Sequence, residues 1–328
     1  MADLSTPYMG LTLKNPIIVG SSDLTMSVDR VRECEEAGAG AIVLKSLFEE
    51  QIESEIRQAR IQASSPDNHT EADDYIRKTA LHLSEDRYLR LIREAKRCVS
   101  IPVIASLNCI RPDWWTSYAA RMAEAGADGI ELNITIMPTY LMQTAAQVEA
   151  TYVSIVQSVR EKVNIPISVK IGPYFSSLPH TARALRNAGA DVLVLFNRFS
   201  QLDIDIEKIE LVHRYHYSTP SDIHLPLRWI AVLATQSGCQ LASATGVHDG
   251  TGVIKQLLAG SQAVHVCSIL LLEGLGRIGE MLIDLEKWMD RHGYNTIDAF
   301  RGRMSMELDG KSDFYQRQQY IKVIAGVE

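Results

Sequence analysis

The sequence predicts an α/β protein, a (β/α)8 TIM barrel, and three observations carry that prediction. A phrase recurs along the chain, an apolar run ends each copy, and eight such runs are found in all. The phrase reads EEAGAGAIVLKS at 35–46, AEAGADGIELNI at 123–134, RNAGADVLVLFN at 186–197 and, more loosely, LLAGSQAVHVCS at 257–268. Each copy combines a helix end, an Ala-Gly suited to a left-handed cap, a short turn and a strand.

Further apolar runs lie between these copies, at NPIIVG (15–20), IPVIAS (101–106), IPISVK (165–170) and CQLASA (239–244). Runs without polar alternation are typical of strands that are buried on both faces of a parallel sheet. The predicted strands lie at about 16–20, 41–45, 103–106, 129–133, 167–170, 192–196, 240–244 and 263–267. Amphipathic segments predict helices at 28–37, 114–125, 148–162, 179–188, 249–259 and 276–292.

Alternating strands and helices favour a closed barrel, with a doubly wound open sheet as the structural alternative. No G-x-G-x-x-G follows the first strand, which counts against a dinucleotide-binding fold. We expect residues 1–328 to form a single domain with long loops after strands 2 and 6, at 46–87 and 198–225. Both loops follow the carboxyl end of a strand, where barrel enzymes build their active sites.

Composition excludes several classes of protein. The formal charge is −7 with scattered Lys and Arg, which argues against a nucleic-acid surface. No apolar stretch approaches the roughly 20 residues of a membrane span, and the start, MADLSTPYMG, lacks the features of a signal peptide. The 5 cysteines include no C-x-x-C, and no His, Cys or Asp set has the spacing of metal ligands. We therefore expect a soluble cytoplasmic protein without a metal.

Polar residues and glycine follow the predicted strands at Ser21, Ser22, Lys45, Ser46, Asn108, Cys109, Asn133, Lys170, Asn197, Gly246, Cys267 and Ser268. A lysine among apolar residues is costly unless it faces an anion. For either lysine alone, a rim side chain with its ammonium in water is the alternative. Lys45 and Lys170 together favour a bound, electron-rich ligand.

The last two units add a phosphate signal. ATGVHDGTG (244–252) and CSILLLEGLG (267–276) place small residues and glycine at the ends of strands 7 and 8, where barrels commonly hold a phosphate. A phosphate there and lysines at strands 2 and 5 suggest flavin mononucleotide (FMN). A lysine near the N1–C2=O edge of the flavin stabilises the negative charge that grows when the ring accepts a hydride.

Motifs along nearly the whole chain resemble the dihydroorotate dehydrogenase family, and its soluble class 1 members most closely. They are GLTLKNPIIVGSS (10–22), AIVLKS (41–46), ELN (131–133), VKIGPYF (169–175), LFN (195–197) and the block 244–274. The resemblance implies an FMN-dependent barrel, a homodimer and a role in pyrimidine biosynthesis. It also implies flavin contacts from Ser21, Ser22, Lys45, Ser46, Asn133, Lys170, Asn197, Gly246, Val247, Cys267 and Ser268, with Asn133 and Asn197 also beside the substrate.

The substrate half departs from the family pattern. Class 1 members read Asn-x-Ser-Cys-Pro-Asn after strand 4, and the cysteine takes the C5 proton of dihydroorotate. Here Ile136 stands at the cysteine and Pro138 at the second asparagine. Another orotate-binding asparagine of the family falls near His82, and Arg198 replaces a small hydroxyl residue.

Isoleucine has no lone pair, so Ile136 cannot act as a general base. Three accounts stay open: a relay through Thr135, a loop group such as His82, Cys109, Tyr140 or His180, or a reaction that needs no strong protein base. Histidine titrates near neutral pH, which favours His82 among the loop groups. The predicted catalytic residues are therefore Lys45, Thr135 and His82.

The sequence predicts an FMN-dependent dehydrogenase that acts on CH–CH donors. Dihydroorotate, another dihydropyrimidine or a small anion would bind Asn133, Asn197 and Arg198, with Arg198 able to pair with a carboxylate. Two alternatives stay open: a flavin-binding paralogue without activity, and a non-redox phosphate-binding barrel that uses Lys170 as a Schiff-base nucleophile.

Overall fold

Eight parallel strands close into a barrel in the computed structural model, which describes residues 2–54, 87–198, 201–214 and 216–306. The barrel strands are β1 (Ile17–Val19), β2 (Ala41–Val43), β3 (Val103–Asn108), β4 (Gly129–Asn133), β5 (Ile167–Ile171), β6 (Val192–Leu195), β7 (Gln240–Ala244) and β8 (Ala263–Val266). Each strand pairs with the next, and β8 returns to β1 through Val264 opposite Ile17. The predicted (β/α)8 fold is confirmed, and the open-sheet alternative is wrong.

Helices connect the strands on the outside of the barrel. They are α1 (Val28–Glu36), α2 (Pro112–Glu124), α3 (Ala145–Arg160), α4 (Leu178–Asn187), α5 (His224–Leu233), α6 (Gly250–Ala259), α7 (Ser268–Glu273) and α8 (Arg277–His292). Residues 49–54 and 87–98 are also helical, and short 3-10 helices lie at Asp23–Thr25, Pro220–Ile223 and Ile297–Ala299. Capping explains the earlier start of α3, because Thr144 forms a capping box with Gln147. No described helix has both the length and the apolar character of a membrane span.

Three further pairings add to the barrel. Thr6–Tyr8 and Leu11–Leu13 form an antiparallel hairpin, here called the floor hairpin, and Leu47–Phe48 pairs with β3. Gln201–Asp205 and Glu210–Arg214 form a second one, the mouth hairpin, inside the predicted long loop after β6. Most of the predicted loop after β2 lies outside the described residues.

Two apolar clusters form the core. The larger one lies between the strands and the helices, and includes Ile130, Leu132 and Val169. The smaller one fills the barrel interior with residues such as Ile18, Val194 and Ala242. Side chains alternate along a strand, so Glu131, between Ile130 and Leu132, points into the barrel. Alanines at several interior positions leave room there for larger polar groups.

The floor hairpin closes the amino-terminal end of the barrel. Tyr8, Met9 and Leu13 belong to the interior cluster and are fully or almost fully buried. The Met9 N–H donates to Gln240 Oε1 at 2.8 Å, where Gln240 is the first residue of β7. The opposite end, at the carboxyl termini of the strands, is the mouth, and it carries the polar residues of the predicted site.

Candidate active site

A cavity opens in the mouth at the carboxyl ends of β5 to β8. Predicted site residues that line it are Ser21, Lys170, Asn197, Arg198, Gly246, Val247, Cys267 and Ser268. Phe196, His216, Ser218, Ala244, Thr245 and His265 complete the lining. The residues predicted from strands 5 to 8 therefore surround one space.

The end of β7 is shaped by close backbone approach. Thr245 and Gly246 both have positive φ, at 79° and 80°. A Cβ on Gly246 would lie 2.1 Å from the backbone N of Ile223, so no side chain fits there. The backbone of the 3-10 helix Pro220–Ile223 therefore lies directly against Gly246 at the end of β7, beside the predicted phosphate position.

Hydroxyl groups meet at the same corner. The Ser218 N–H donates to Ser268 Oγ at 3.0 Å, and Ser218 Oγ lies 3.0 Å from His248 Nε2. Burial lowers the pKa of His248, opposed by the charge of Asp249, so its ring is predominantly neutral at pH 7. Serine hydroxyls beside a glycine turn suit a phosphate group.

The two predicted asparagines form one hydrogen-bonded unit. Asn197 Nδ2 donates to Asn133 Oδ1 at 2.7 Å and to Thr135 Oγ1 at 2.9 Å. Asn197 Oδ1 accepts the backbone N–H of Arg198 at 3.0 Å, which fixes the orientation of the amide. Thr135, the predicted relay residue, is therefore brought to the edge of the cavity.

Ile136 is held differently from Thr135. Its backbone N–H donates to Tyr152 Oη at 3.2 Å, and its half-buried side chain packs against the outer core cluster. Ile136 is not among the residues that line the cavity. In this loop the hydroxyl of Thr135, and not the side chain of Ile136, reaches Asn197.

Lys170 contacts a buried carboxyl group beneath the cavity. Its Nζ lies 4.0 Å from Glu131 Oε1, and Glu131 Oε2 lies 3.7 Å from His265 Nδ1. Burial raises the pKa of Glu131, opposed by the Lys170 charge, and lowers the pKa of His265 well below its ordinary value. His265 is therefore neutral at pH 7.

The residues predicted from strands 1 and 2 lie mostly beside this cavity rather than in it. Ser46 Oγ bridges Ser21 Oγ at 3.0 Å and Ser106 Oγ at 2.7 Å. Ser22 caps the 3-10 helix Asp23–Thr25. Lys45 Nζ lies 2.6 Å from Asp23 Oδ1 and lines a neighbouring cavity, so the structure does not bring the two lysines into one space.

Arg198 is anchored at the β7 side of the mouth. Its Nη1 donates to the carbonyl oxygen of His216, and its Nη2 lies 4.0 Å from Asp222 Oδ2. Because Asp222 adjoins Ile223, the guanidinium lies on the Gly246 side of the cavity. A substrate carboxylate would share Arg198 with Asp222.

The candidate bases from the loops are scattered. His82 lies outside the described residues. Cys109 is buried, and burial raises the pKa of its thiol well above the ordinary value. Tyr140 and His180 are exposed, and neither lines the cavity. Thr135 is the one predicted base or relay, among those described, that contacts the unit formed by the asparagines.

Sequence reasoning missed Glu131, His265, Ser218 and Thr245. The sequence did carry a signal for Glu131 and His265, because each is an ionisable residue inside an otherwise apolar strand, in ELN and AVHVCS respectively. An ionisable residue at an inward position of a barrel strand is rare enough to mark a site. Ser218 belongs to a long loop, and its position was not readable from the pattern.

Comparisons with known proteins identify the family of the chain. A family model described as dihydroorotate dehydrogenase matches residues 3–289. The catalytic subunit of dihydroorotate dehydrogenase B (NAD(+)) from Thermoplasma volcanium is 25% identical over 307 residues, covering 92% of this chain and 98% of the relative. The corresponding subunit from Methanocella arvoryzae is 26% identical over 287 residues, covering 86% and 91%.

A relative with a different activity also matches. The chloroplastic dihydropyrimidine dehydrogenase (NADP(+)) of Arabidopsis thaliana is 23% identical over 344 aligned positions, covering 97% of this chain and 80% of the relative. The family match extends from the floor hairpin to α8 and includes every barrel strand. The chain therefore belongs to the dihydroorotate dehydrogenase family and is an oxidoreductase of the kind that acts on CH–CH donors.

Proposed function

We propose that this chain binds FMN across the mouth and oxidises a dihydropyrimidine. The observation that carries the proposal is the convergence of Lys170, Asn197, Gly246 and Ser268 on one cavity. An anionic, planar cofactor with a phosphate requires a set of donors of this kind: a cation, an amide, backbone N–H groups at a glycine and a hydroxyl. The residues present therefore fit FMN.

Each part of the cavity has a separate task in this proposal. Gly246, Val247, Cys267 and Ser268 hold the phosphate, and Ser21, Ser22 and Ser46 support the ring at the β1–β2 side. Lys170 supplies positive charge within the barrel, where its effect is stronger than in water. FMN, when bound, supplies the two-electron acceptor that a CH–CH dehydrogenase needs.

Substrate recognition falls to the asparagine unit. Asn133 and Asn197 lie 2.7 Å apart through their amides, so one polar substrate edge can contact both. The exposed hydroxyl of Thr135 relays the proton that leaves the substrate, accepting it while it gives its own hydroxyl proton to water. Lys45 and His82 stay predictions as catalytic residues, since Lys45 pairs with Asp23 and His82 lies outside the described residues.

The substrate class is a dihydropyrimidine with or without a carboxylate. Arg198 is the residue that distinguishes these cases, because it lines the cavity and lies 4.0 Å from Asp222. If dihydroorotate is the substrate, its carboxylate displaces Asp222 from Arg198. If an uncharged dihydropyrimidine is the substrate, the Arg198–Asp222 contact persists.

The test is anaerobic bleaching of the flavin. We expect the purified protein to be yellow, with flavin absorbance, and to be bleached by dihydroorotate, dihydrouracil or dihydrothymine. A yellow protein that no member of this panel bleaches would support the inactive paralogue. A colourless protein that ignores added FMN would contradict the flavin proposal and favour the non-redox barrel.

The electron acceptor, assembly and location are part of the proposal. Relatives named as NAD(+)-linked catalytic subunits suggest that electrons leave through another subunit. A homodimer is supported by the apolar side chains that the mouth hairpin exposes, and mass photometry tests it. Five free cysteines suit the cytoplasm, and one domain over 1–328 suits the continuous barrel.

A further inference from the structure

We propose that Glu131 and His265 are positioning residues that set how much positive charge Lys170 presents to the mouth, and that they couple flavin reduction to proton uptake inside the barrel. The proposal rests on the proposed binding of FMN. It concerns four side chains, here called the interior quartet: Lys170, Glu131, His265 and Tyr8. The quartet runs from the cavity to the floor hairpin.

The contacts form a continuous chain. Lys170 Nζ lies 4.0 Å from Glu131 Oε1, and Glu131 Oε2 lies 3.7 Å from His265 Nδ1. His265 Nε2 lies 3.2 Å from the hydroxyl oxygen of Tyr8. Lys170 and His265 also line the cavity, so the charge of the quartet acts on whatever binds there.

The quartet is expensive to bury. Glu131 and Tyr8 are 0% exposed and His265 is 3% exposed. Within the described part of the chain, the two carboxyl oxygens of Glu131 have no hydrogen-bond partner, and His265 Nδ1 has none either. An apolar pair of similar size would cost less, because an ion pair loses more hydration than it recovers when its geometry is loose. Packing alone does not account for an acid at this position.

The charges around Glu131 come from several elements. Lys170 lies on β5, His265 lies on β8, and Tyr8 belongs to the floor hairpin. Cys267, after β8, and Tyr88, on the helix 87–98, are the other titratable groups that feel its charge. Burial raises the pKa of both of these groups, so they are neutral at pH 7. Lys170 is therefore the cation that Glu131 balances.

This balance predicts a response to charge in the mouth. A carboxylate at Glu131 offsets the ammonium of Lys170, so an anion in the cavity competes with Glu131 for the same cation. A dihydropyrimidine substrate would pass two electrons and one proton to bound FMN as a hydride. In response to the added negative charge, Glu131 would take up one further proton from solvent and leave Lys170 to the ring.

The experiment measures the midpoint potential of the FMN-loaded protein between pH 6 and pH 9. Glu131→Gln removes the carboxylate. For this variant we expect the equilibrium constant for FMN reduction to be about tenfold larger than in the wild type at the alkaline end, which equals a midpoint potential about 30 mV higher for two electrons. Its potential should also depend less on pH than that of the wild type. Glu49→Gln is the matched control, because Glu49 is 2% exposed but pairs with Arg111 and not with the quartet.

A second variant protects the test against loss of folding. His265→Gln places an amide that can donate to Glu131 and keep it ionised, so we expect the reduction equilibrium to fall. Opposite signs for Glu131→Gln and His265→Gln, with no change in Glu49→Gln, support the proposal. The proposal would be overturned if both quartet variants had equilibrium constants for FMN reduction within twofold of the wild-type value at every pH. A wild type that binds no FMN would instead contradict the proposed function.

Discussion

The two hairpins of this barrel are both antiparallel strand pairs, but they lie in opposite environments. The floor hairpin buries Tyr8, Met9 and Leu13 in the barrel interior. The mouth hairpin exposes Leu202, Ile204 and Leu211, at 63%, 59% and 61%. Ile204 lies directly opposite Leu211 across the strand pair, so the exposed apolar side chains share one face.

This difference separates stability from binding. Apolar groups at the floor leave water when the chain folds, so they contribute to the free energy of unfolding. Apolar groups at the mouth stay in water in the isolated chain, and such patches are typical of binding surfaces. The floor therefore holds the barrel together, while the mouth keeps its surface for ligands and partners.

The largest expected effect compares two leucines. Leu13→Ala leaves a cavity in the interior cluster and should lower the free energy of unfolding by about 2–5 kcal/mol. Leu211→Ala, on the mouth hairpin, should change it by less than about 0.5 kcal/mol. Urea denaturation of both variants measures this, and equal losses would contradict the division between floor and mouth.

Two glycines sharpen the comparison at the backbone. Gly10 and Gly246 have φ of 74° and 80°, but a Cβ on Gly10 meets nothing within 4 Å. Gly10→Ala should cost about 1 kcal/mol from backbone strain alone. Gly246→Ala adds a clash with the backbone of Ile223 and should cost about 2–4 kcal/mol.

The glycine variants should also differ in FMN affinity. Gly246→Ala moves the phosphate corner, so we expect FMN binding to weaken at least tenfold, as measured by fluorescence titration. Gly10→Ala should bind FMN like the wild type. Weaker binding in both variants would show that the floor hairpin and the mouth are not independent.

Thr135 tests the substrate side of the mouth. Thr135→Val removes the hydroxyl that accepts from Asn197, and we expect the rate of flavin bleaching to fall by about 10-fold to 100-fold. Thr135→Ser keeps the hydroxyl and should retain most of the rate. Thr139→Val, at an exposed position in the same loop, is the matched control.

Ile136→Cys tests the family's base position. Because the Ile136 side chain packs against the outer core, a thiol there should increase dihydroorotate oxidation only modestly, by less than about tenfold. The rate of bleaching by dihydroorotate measures this. A large gain would mean that the loop after β4 rearranges when substrate binds.

The smallest expected effects concern pH. Burial raises the pKa of Glu131, so the folded chain keeps a proton that the unfolded chain has released. The stability contributed by this group is present at low pH and is lost as pH rises through the folded pKa. We therefore expect the Tm of Glu131→Gln to match that of the wild type at low pH and to exceed it increasingly as pH rises.

Glu35 provides a control of opposite sign. Burial alone would raise the pKa of Glu35, but hydrogen bonds from Ser100 and Ile101 lower this pKa overall. Its contribution is present above the unfolded pKa and is lost as pH falls through the folded pKa. Glu35→Gln should therefore lose stability near pH 7 and little at low pH. Tm measurements that give the same sign for both variants would contradict these assignments.

The fold was readable from the sequence because its signals are local. The Ala-Gly caps and unbroken apolar runs gave each β/α unit separately, and closure followed from their number. The floor hairpin was not predicted, since three-residue strands such as Thr6–Tyr8 carry little periodicity. The mouth hairpin, with strands of 5 residues, was not predicted either and lies inside the segment 198–225 that was predicted as a long loop.

The site was readable only in part. Residues at strand ends, such as Lys170 and Gly246, face the mouth because of barrel geometry alone. Lys45 satisfies the same rule, yet its side chain turns to Asp23, a choice that depends on rotamers and neighbours. The contact between Glu131 and His265 joins β4 to β8 across the barrel, and no local pattern encodes such a contact.

The buried floor hairpin has a kinetic consequence. Among the described residues, the floor hairpin closes the amino-terminal end of the barrel and the cavity opens at the mouth, so a substrate, its oxidised product and any small soluble electron acceptor would use the same opening. With a small soluble acceptor, the oxidised product should leave the cavity before the acceptor binds. Parallel lines in double-reciprocal plots, the signature of ping-pong kinetics, are the expected outcome.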